Sequence, residues 1–228
     1  MATEPHRLAI KRFLMLTAVF VLPMLMLSAY AWTLLPEGAR IPTHWNVKGE
    51  VDQYSSKTFG LFFLPALVTL LVPGLAVLVR LDPRRKHVEQ SGKFLFIVSI
   101  GLLTMMAAIH AATILISLGY QLPMDRIVGS CVGALFLLLG NFLGKVRSNF
   151  FMGVRTPWTL SSELSWNKTH RLAGKLFVAI GLLSLILTWT QSGVVAVGVL
   201  LVSVVLVTLV CVIYSYFVWK QDAATRVG

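Results

Sequence analysis

Charge is what this chain has least of. Lys, Arg, Asp and Glu together make up 13% of its 228 residues, roughly half the share of an ordinary soluble domain. Acids are scarcer than bases, 9 against 20. Cysteine is nearly missing: there are only Cys131 and Cys211. There is no HExxH pair, no closely spaced cysteine pair and no P-loop. No local signature therefore points to zinc hydrolysis, thiol redox chemistry or nucleotide phosphates. Long soluble stretches are lacking too, so nothing outside the apolar runs can build a core of its own.

What is present is apolar. Hydrophobic residues make up 57% of the chain, and they gather into six runs, over residues 13–35, 59–79, 94–119, 127–144, 173–190 and 194–219. Each is close to the roughly 20 residues that cross a bilayer. The expected fold class is all-α: a polytopic membrane helix bundle with six transmembrane helices in one membrane domain, residues 1–228. The first run follows a basic start, as a signal peptide would. It is longer than such a segment's apolar region and no small-residue cleavage site follows, so it reads as a retained span. Pro23, Pro65 and Pro73 lie inside spans, where a missing donor and a clash one turn back predict kinks. Cys131 and Cys211 fall toward opposite faces, too far apart for the roughly 7 Å that a disulfide allows. They read as unpaired thiols.

The formal net charge is +11, yet it does not indicate nucleic-acid binding, because the bases sit at span ends and in short loops with no basic face on a soluble helix. They set orientation instead. Arg7, Lys11, Arg12, Arg80, Arg84, Arg85, Lys86, Lys93, Lys145, Arg147, Arg155, Lys168, Arg171, Lys175, Lys220 and Arg226 fall on one side, and only Arg40, Lys48, Lys57 and Arg126 on the other. Cytoplasmic loops carry the excess of Lys and Arg, so both termini are expected in the cytoplasm. Tyr30, Trp32, Tyr120 and Trp189 then mark the outer interface, and Tyr214, Tyr216 and Trp219 the inner one, as aromatic anchors do. In the fourth span, Gly129, Gly133, Gly140 and Gly144 share one helical face. Small residues let helices approach closely in lipid, which predicts tight packing inside the bundle or, as the alternative, a homodimer.

Two loops hold most of the distinctive chemistry. The first, residues 36–58, carries Pro42, His44, Trp45, Asn46, Gly49, Asp52 and Tyr54. Its prolines, glycines and Asn46 mark turns and exclude helix, with a brief extended segment over 41–47. Two readings stand: a surface for a ligand arriving from outside, since exposed loops often carry function, or an ordered cap on the headgroups. The second loop, residues 145–172, carries Asn149, Gly153, Arg155, Thr156, Pro157, Trp158, Thr159, Trp166, Thr169, His170 and Arg171. Thr159 or Ser161 is a candidate cap for a short interfacial helix bearing Leu160 and Leu164 on one face. Arg155 and Arg171 suit phosphate by fork geometry; the other reading is a structural elbow whose arginines meet headgroups. Within the spans, His110 and Asn141 are the notable polar groups. Each is alone at its depth, which predicts interhelical hydrogen bonds and no proton path. His44 and His170 lie on opposite sides, so no shared metal site is expected.

These loops resemble the SdpI family of bacterial immunity and signal-transduction membrane proteins. Pro42, His44, Trp45, Asn46, Gly49 and Asp52, in the region 18–65, look like the small domain of unknown function typical of that family's N-terminus. Gly140 and Asn141, the run from Gly153 through Leu160, and Trp166, Thr169, His170 and Arg171, in the region 120–215, are similar to its defining stretch. The resemblance implies a six-span bacterial plasma-membrane protein with no cofactor and no enzymatic reaction. It implies protection against a secreted antimicrobial peptide toxin, and an ArsR-type autorepressor sequestered at the membrane as cytoplasmic partner. Two other functions remain open from the residues alone. One is a peptide or small-molecule exporter, which would need a polar midplane cavity. The other is a membrane enzyme acting on lipid phosphate through Arg155, His170 and Arg171.

Overall fold

Each apolar run is a helix, as lipid demands when no water can satisfy backbone groups. The computed structural model describes residues 4–78 and 81–227, so Val79 and Arg80 lie outside the described residues. In chain order the elements are α1 (Glu4–Leu34), β1 (Arg40–Trp45), β2 (Val51–Ser56), α2 (Lys57–Leu78), α3 (Arg85–Gln90), α4 (Gly92–Ser117), α5 (Met124–Leu143), α6 (Pro157–Ser161), α7 (Glu163–Thr190) and α8 (Gly193–Val227). Six of these, α1, α2, α4, α5, α7 and α8, are long and apolar enough to cross a membrane. α1 continues through Pro23, and α2 continues through Pro65 and Pro73.

The six helices form two groups. α1, α2 and α4 close around Val21, Met24, Val68, Val72 and Leu103. α5, α7 and α8 gather around Leu143, Trp166, Ala173, Ile180, Val207 and Cys211, and Phe94 of α4 joins them. α4 therefore belongs to both groups and forms the seam between them. Outward-facing α8 residues such as Leu201, Val205, Leu209 and Ile213 stay exposed, the surface a bilayer would cover.

The glycine face of α5 is used inside the bundle. A methyl placed on Gly140 would lie 2.6 Å from the carbonyl oxygen of Gly174 in α7, and one on Gly133 would lie 3.1 Å from that of Gly181. The reverse holds as well, with Gly174 facing the Gly140 oxygen at 2.7 Å and Gly181 facing the Gly133 oxygen at 2.8 Å. Gly129 abuts Thr188, and Gly144 abuts Arg171. Since α7 occupies this face, it is closed to a second copy, and the homodimer alternative through Gly129, Gly133, Gly140 and Gly144 gives way to intramolecular packing. Cys131 and Cys211 are both free.

Four expectations change. The first loop is an antiparallel hairpin rather than turns with one extended segment, and its second strand, Val51–Ser56, had no apolar alternation to announce it. The short helix expected before the fifth span is α6, only five residues long, which packs Leu160 against the core and ends before Glu163 and Leu164. α7 starts at Glu163 and runs straight into the bundle. The caps are Thr156, whose hydroxyl accepts from the Thr159 amide, and Ser162, whose hydroxyl accepts from the Ser165 amide. Asn141, finally, makes no interhelical bond. Its side chain is exposed and donates to the Leu137 carbonyl one turn back, 2.9 Å away. His110 does reach across helices: fully buried, its Nε2 lies 3.0 Å from Ser28 Oγ and 3.2 Å from the Met24 carbonyl of α1.

Candidate functional site

The hairpin is built around a tight turn. Asn46 Oδ1 accepts the amides of Lys48 at 2.9 Å and Glu50 at 3.1 Å. Gly49, at φ 79°, adopts the left-handed conformation that glycine enters without penalty. Beside the turn, His44 Nδ1 lies 2.6 Å from Asp52 Oδ1 across the strands, with both side chains well exposed.

Two anchors seat the hairpin on the bundle. Ile41 is fully buried among Ala31 of α1, Leu61 of α2 and Ile114 of α4. Gly60 faces it without a side chain, and a methyl there would overlap Ile41. On the other side the turn leans on the second helix group. Val47 presses its carbonyl against Gly193 at the start of α8, and a methyl on Gly49 would come 3.1 Å from Asp125 Oδ1 of α5. Near the base of β2, Lys57 donates to the Leu35 carbonyl at 2.6 Å and sits over the Trp32 ring.

Beneath the hairpin is a cavity of about 360 Å³. Its roof is Thr43, His44, Trp45, Asn46 and Val47, and its walls come from α4, α5, α7 and α8. The walls are mainly apolar, with Ser184, Thr188 and Asp125 as the polar exceptions. His44, Trp45 and Asn46 are thus brought together over it. Pro42 is buried in β1, Asp52 bonds to His44, and Tyr54 is exposed on β2, where its carbonyl accepts from Arg40 at 3.3 Å.

At the opposite end of the bundle, the elbow between α5 and α7 is held by a dense set of hydrogen bonds. Asn149, fully buried, accepts the amides of Phe151 at 2.8 Å and Met152 at 2.7 Å and donates to the Arg147 carbonyl. Trp166 donates its indole N–H to the Val146 carbonyl at 2.7 Å. Thr156 Oγ meets Ser215 Oγ of α8 at 3.0 Å, and Trp158 packs edge-on against Tyr216. Thr159 donates to the Val154 carbonyl at 2.9 Å. Thr169 is buried, and its hydroxyl has no hydrogen-bond partner among the described residues. His170, stacked on Trp166, has both ring nitrogens bonded to backbone groups. Gly153, at φ 99°, faces this imidazole so closely that any side chain would strike it. Pro157 occupies the first turn of α6. Arg155 is exposed and donates to the Phe150 carbonyl at 2.6 Å, and Arg171 is exposed on α7.

The elbow is also tied to the first helix group through residues that sequence reading passed over. Asp82, almost fully buried, accepts the Phe150 amide at 2.7 Å and the Arg84 amide at 2.7 Å. Arg84 donates to Ser148 Oγ and to the Leu160 carbonyl, and His87 Nδ1 meets the Ser148 carbonyl at 2.7 Å. An Asp-Pro pair favours a turn, but nothing local marks the Asp82 carboxylate as the clamp of a loop 68 residues away. Among the described residues no cluster of His, Cys, Asp or Glu is able to hold a metal ion.

Comparison with known proteins agrees with the resemblance seen in the sequence. Residues 145–215 match the SdpI/YfhL protein family, and residues 18–69 match a domain of unknown function (DUF1648). The chain is 27% identical over 199 residues to the immunity protein SdpI of Bacillus subtilis, covering 87% of this chain and 92% of that protein. No solved structure matches the chain.

Proposed function

Starting from a chain whose residues 145–215 match the SdpI/YfhL family, we propose that it is an immunity protein of the SdpI type. In this reading it is a multi-pass protein of the bacterial plasma membrane that protects its cell against a secreted antimicrobial peptide toxin. Both termini and the elbow lie in the cytoplasm and the hairpin lies outside. The basis is the concentration of Lys and Arg on the elbow side, which the positive-inside rule assigns to the cytoplasm.

One observation carries the mechanism: both loops bridge the same two helix groups. The hairpin is anchored on α1, α2 and α4 by Ile41 and leans on α5 and α8 through Gly49 and Val47. The elbow, which follows α5, is clamped by Asp82 and Arg84 from the segment that links α2 to α3. A peptide bound at the hairpin would favour one arrangement of the two groups and so change what the elbow presents to an ArsR-type autorepressor. A ligand shifts such an equilibrium only by its difference in affinity for the two arrangements.

The test is survival. Toxin-sensitive cells making this chain are challenged with the cognate peptide, beside cells making His44→Ala or Arg155→Ala at equal membrane abundance. The expected outcome is protection by the parent and weaker protection by each variant. No protection by the parent ends the immunity reading; full protection by a variant removes that residue from the relay. Sidedness is tested separately with Lys48→Cys and Arg155→Cys and a membrane-impermeant maleimide on intact cells. The first should label and the second should not; the reverse pattern overturns the proposed orientation.

A further inference from the structure

The cavity under the hairpin has a chemical bias that points to a particular occupant. Its walls are aliphatic side chains such as Val128, Val132, Val197 and Leu200. No lysine or arginine lines it, and Asp125 is its only carboxylate. Asp125 makes no hydrogen bond or ion pair among the described residues. The neighbouring base is engaged elsewhere, with the Arg126 guanidinium 5.3 Å from the Trp189 ring. Two glycines border the carboxylate: a methyl on Gly49 would lie 3.1 Å from Oδ1 and one on Gly193 3.7 Å from Oδ2. Its place in the first turn of α5 suits an acid, but leaves the carboxylate unpartnered at the edge of an apolar hollow.

We propose that this cavity binds the side chain of a lysine on an extracytoplasmic peptide, with the apolar stem along the aliphatic wall and the ammonium at Asp125. The volume, about 360 Å³, is at the small end of ligand pockets and suits one or two side chains rather than a whole peptide. Lysine fits better than arginine. Its charge is a compact point on a flexible apolar stem, whereas a guanidinium fork calls for several acceptors in one plane. This assignment rests on the proposed role of the hairpin as the ligand-facing loop and adds the chemistry that loop would recognise.

The test uses purified full-length protein in detergent, so it depends on neither sidedness nor a toxin. In a Cys131→Ser, Cys211→Ser background, Ser184→Cys places one thiol in the cavity wall. Its reaction with cationic aminoethyl and anionic sulfonatoethyl methanethiosulfonate is compared, each rate normalised to a free thiol. A charge-assisted contact predicts a cation preference of about tenfold, lost in Asp125→Asn and kept in Asp125→Glu. Acetyl-lysine methylamide should slow labelling by a neutral reagent, and acetyl-norleucine methylamide and leucinamide should not. No cation preference, a preference that survives Asp125→Asn, or equal protection by norleucine or leucinamide would each overturn the assignment. The immunity reading stands or falls separately, on cell survival.

Discussion

His170 accepts the backbone N–H of Val154 on Nε2 at 3.0 Å and directs its Nδ1 proton to the Trp166 carbonyl, 2.8 Å away. An amide can only donate and a carbonyl can only accept, so these partners fix the neutral ring with its proton on Nδ1. The imidazole is completely buried. It holds the bend between α5 and α7 in shape, and neither nitrogen is left to exchange protons with a substrate.

His170→Ala should therefore lower stability by about 1–3 kcal/mol, the cost of leaving a buried donor without a partner, read as the melting temperature in detergent. Gly153→Ala should also destabilise, through strain at positive φ and through collision with the ring. Removing the ring removes the collision, so the double variant should be less damaged than the two single losses added together. Strict additivity would show that Gly153 is required for its backbone conformation alone.

The α5–α7 contact makes a second prediction. Gly140→Val forces a branched side chain against the Gly174 carbonyl and the Val178 backbone, which cannot swing aside. Overpacking usually costs about 1–3 kcal/mol, and a backbone obstacle puts this site at the upper end. Gly198 in α8 has open space around it, so Gly198→Val should stay within about 0.5 kcal/mol. Melting curves of the two variants decide it. An unchanged melting temperature with an altered oligomeric state would assign the stripe to self-association.

For the hairpin, magnitudes separate anchor from ornament. Ile41→Ala removes a fully buried side chain and should cost about 2–5 kcal/mol locally, opening the loop to trypsin at Arg40 and Lys48. The His44–Asp52 pair is 59% and 42% exposed, and such surface pairs contribute about 0–1 kcal/mol. Asp52→Asn should leave the cleavage rate nearly unchanged. Equal protease sensitivity of the two variants would contradict this division of labour.

At the elbow, Asp82→Ala deprives the Phe150 amide of its carboxylate acceptor and frees the loop from the segment that links α2 to α3. Hydrogen bonds to a charged group contribute about 1.5–3 kcal/mol. Deuterium uptake over residues 145–156 should rise in the variant while uptake over the hairpin stays level. A rise in both would mean that the two loops are coupled more tightly than the separate anchors suggest.

Much of the bundle could be read in advance because lipid leaves so few choices. An apolar run of about 20 residues must be a helix, and Gly129, Gly133, Gly140 and Gly144 had to face something small. Their partners Gly174 and Gly181, seven residues apart in α7, carried the complementary signal. What escaped notice depends on distance in space. Val51–Ser56 is polar and exposed, and it becomes a strand only because β1 offers it a ladder. Asp82 and Asp125 are lone acids whose surroundings come from segments remote in sequence. Asn141 misled because its depth suggested a partner helix, whereas its own helix supplied an acceptor one turn back.

The seating of Ile41 has a consequence for biogenesis. Its socket is assembled from Ala31, Leu61 and Ile114, which emerge from the ribosome in that order over more than seventy residues of synthesis. The turn then waits for Gly193, at the start of the last transmembrane helix. The hairpin is made early yet locks into place late, so its protection from protease during translation would report when the whole membrane assembly is complete.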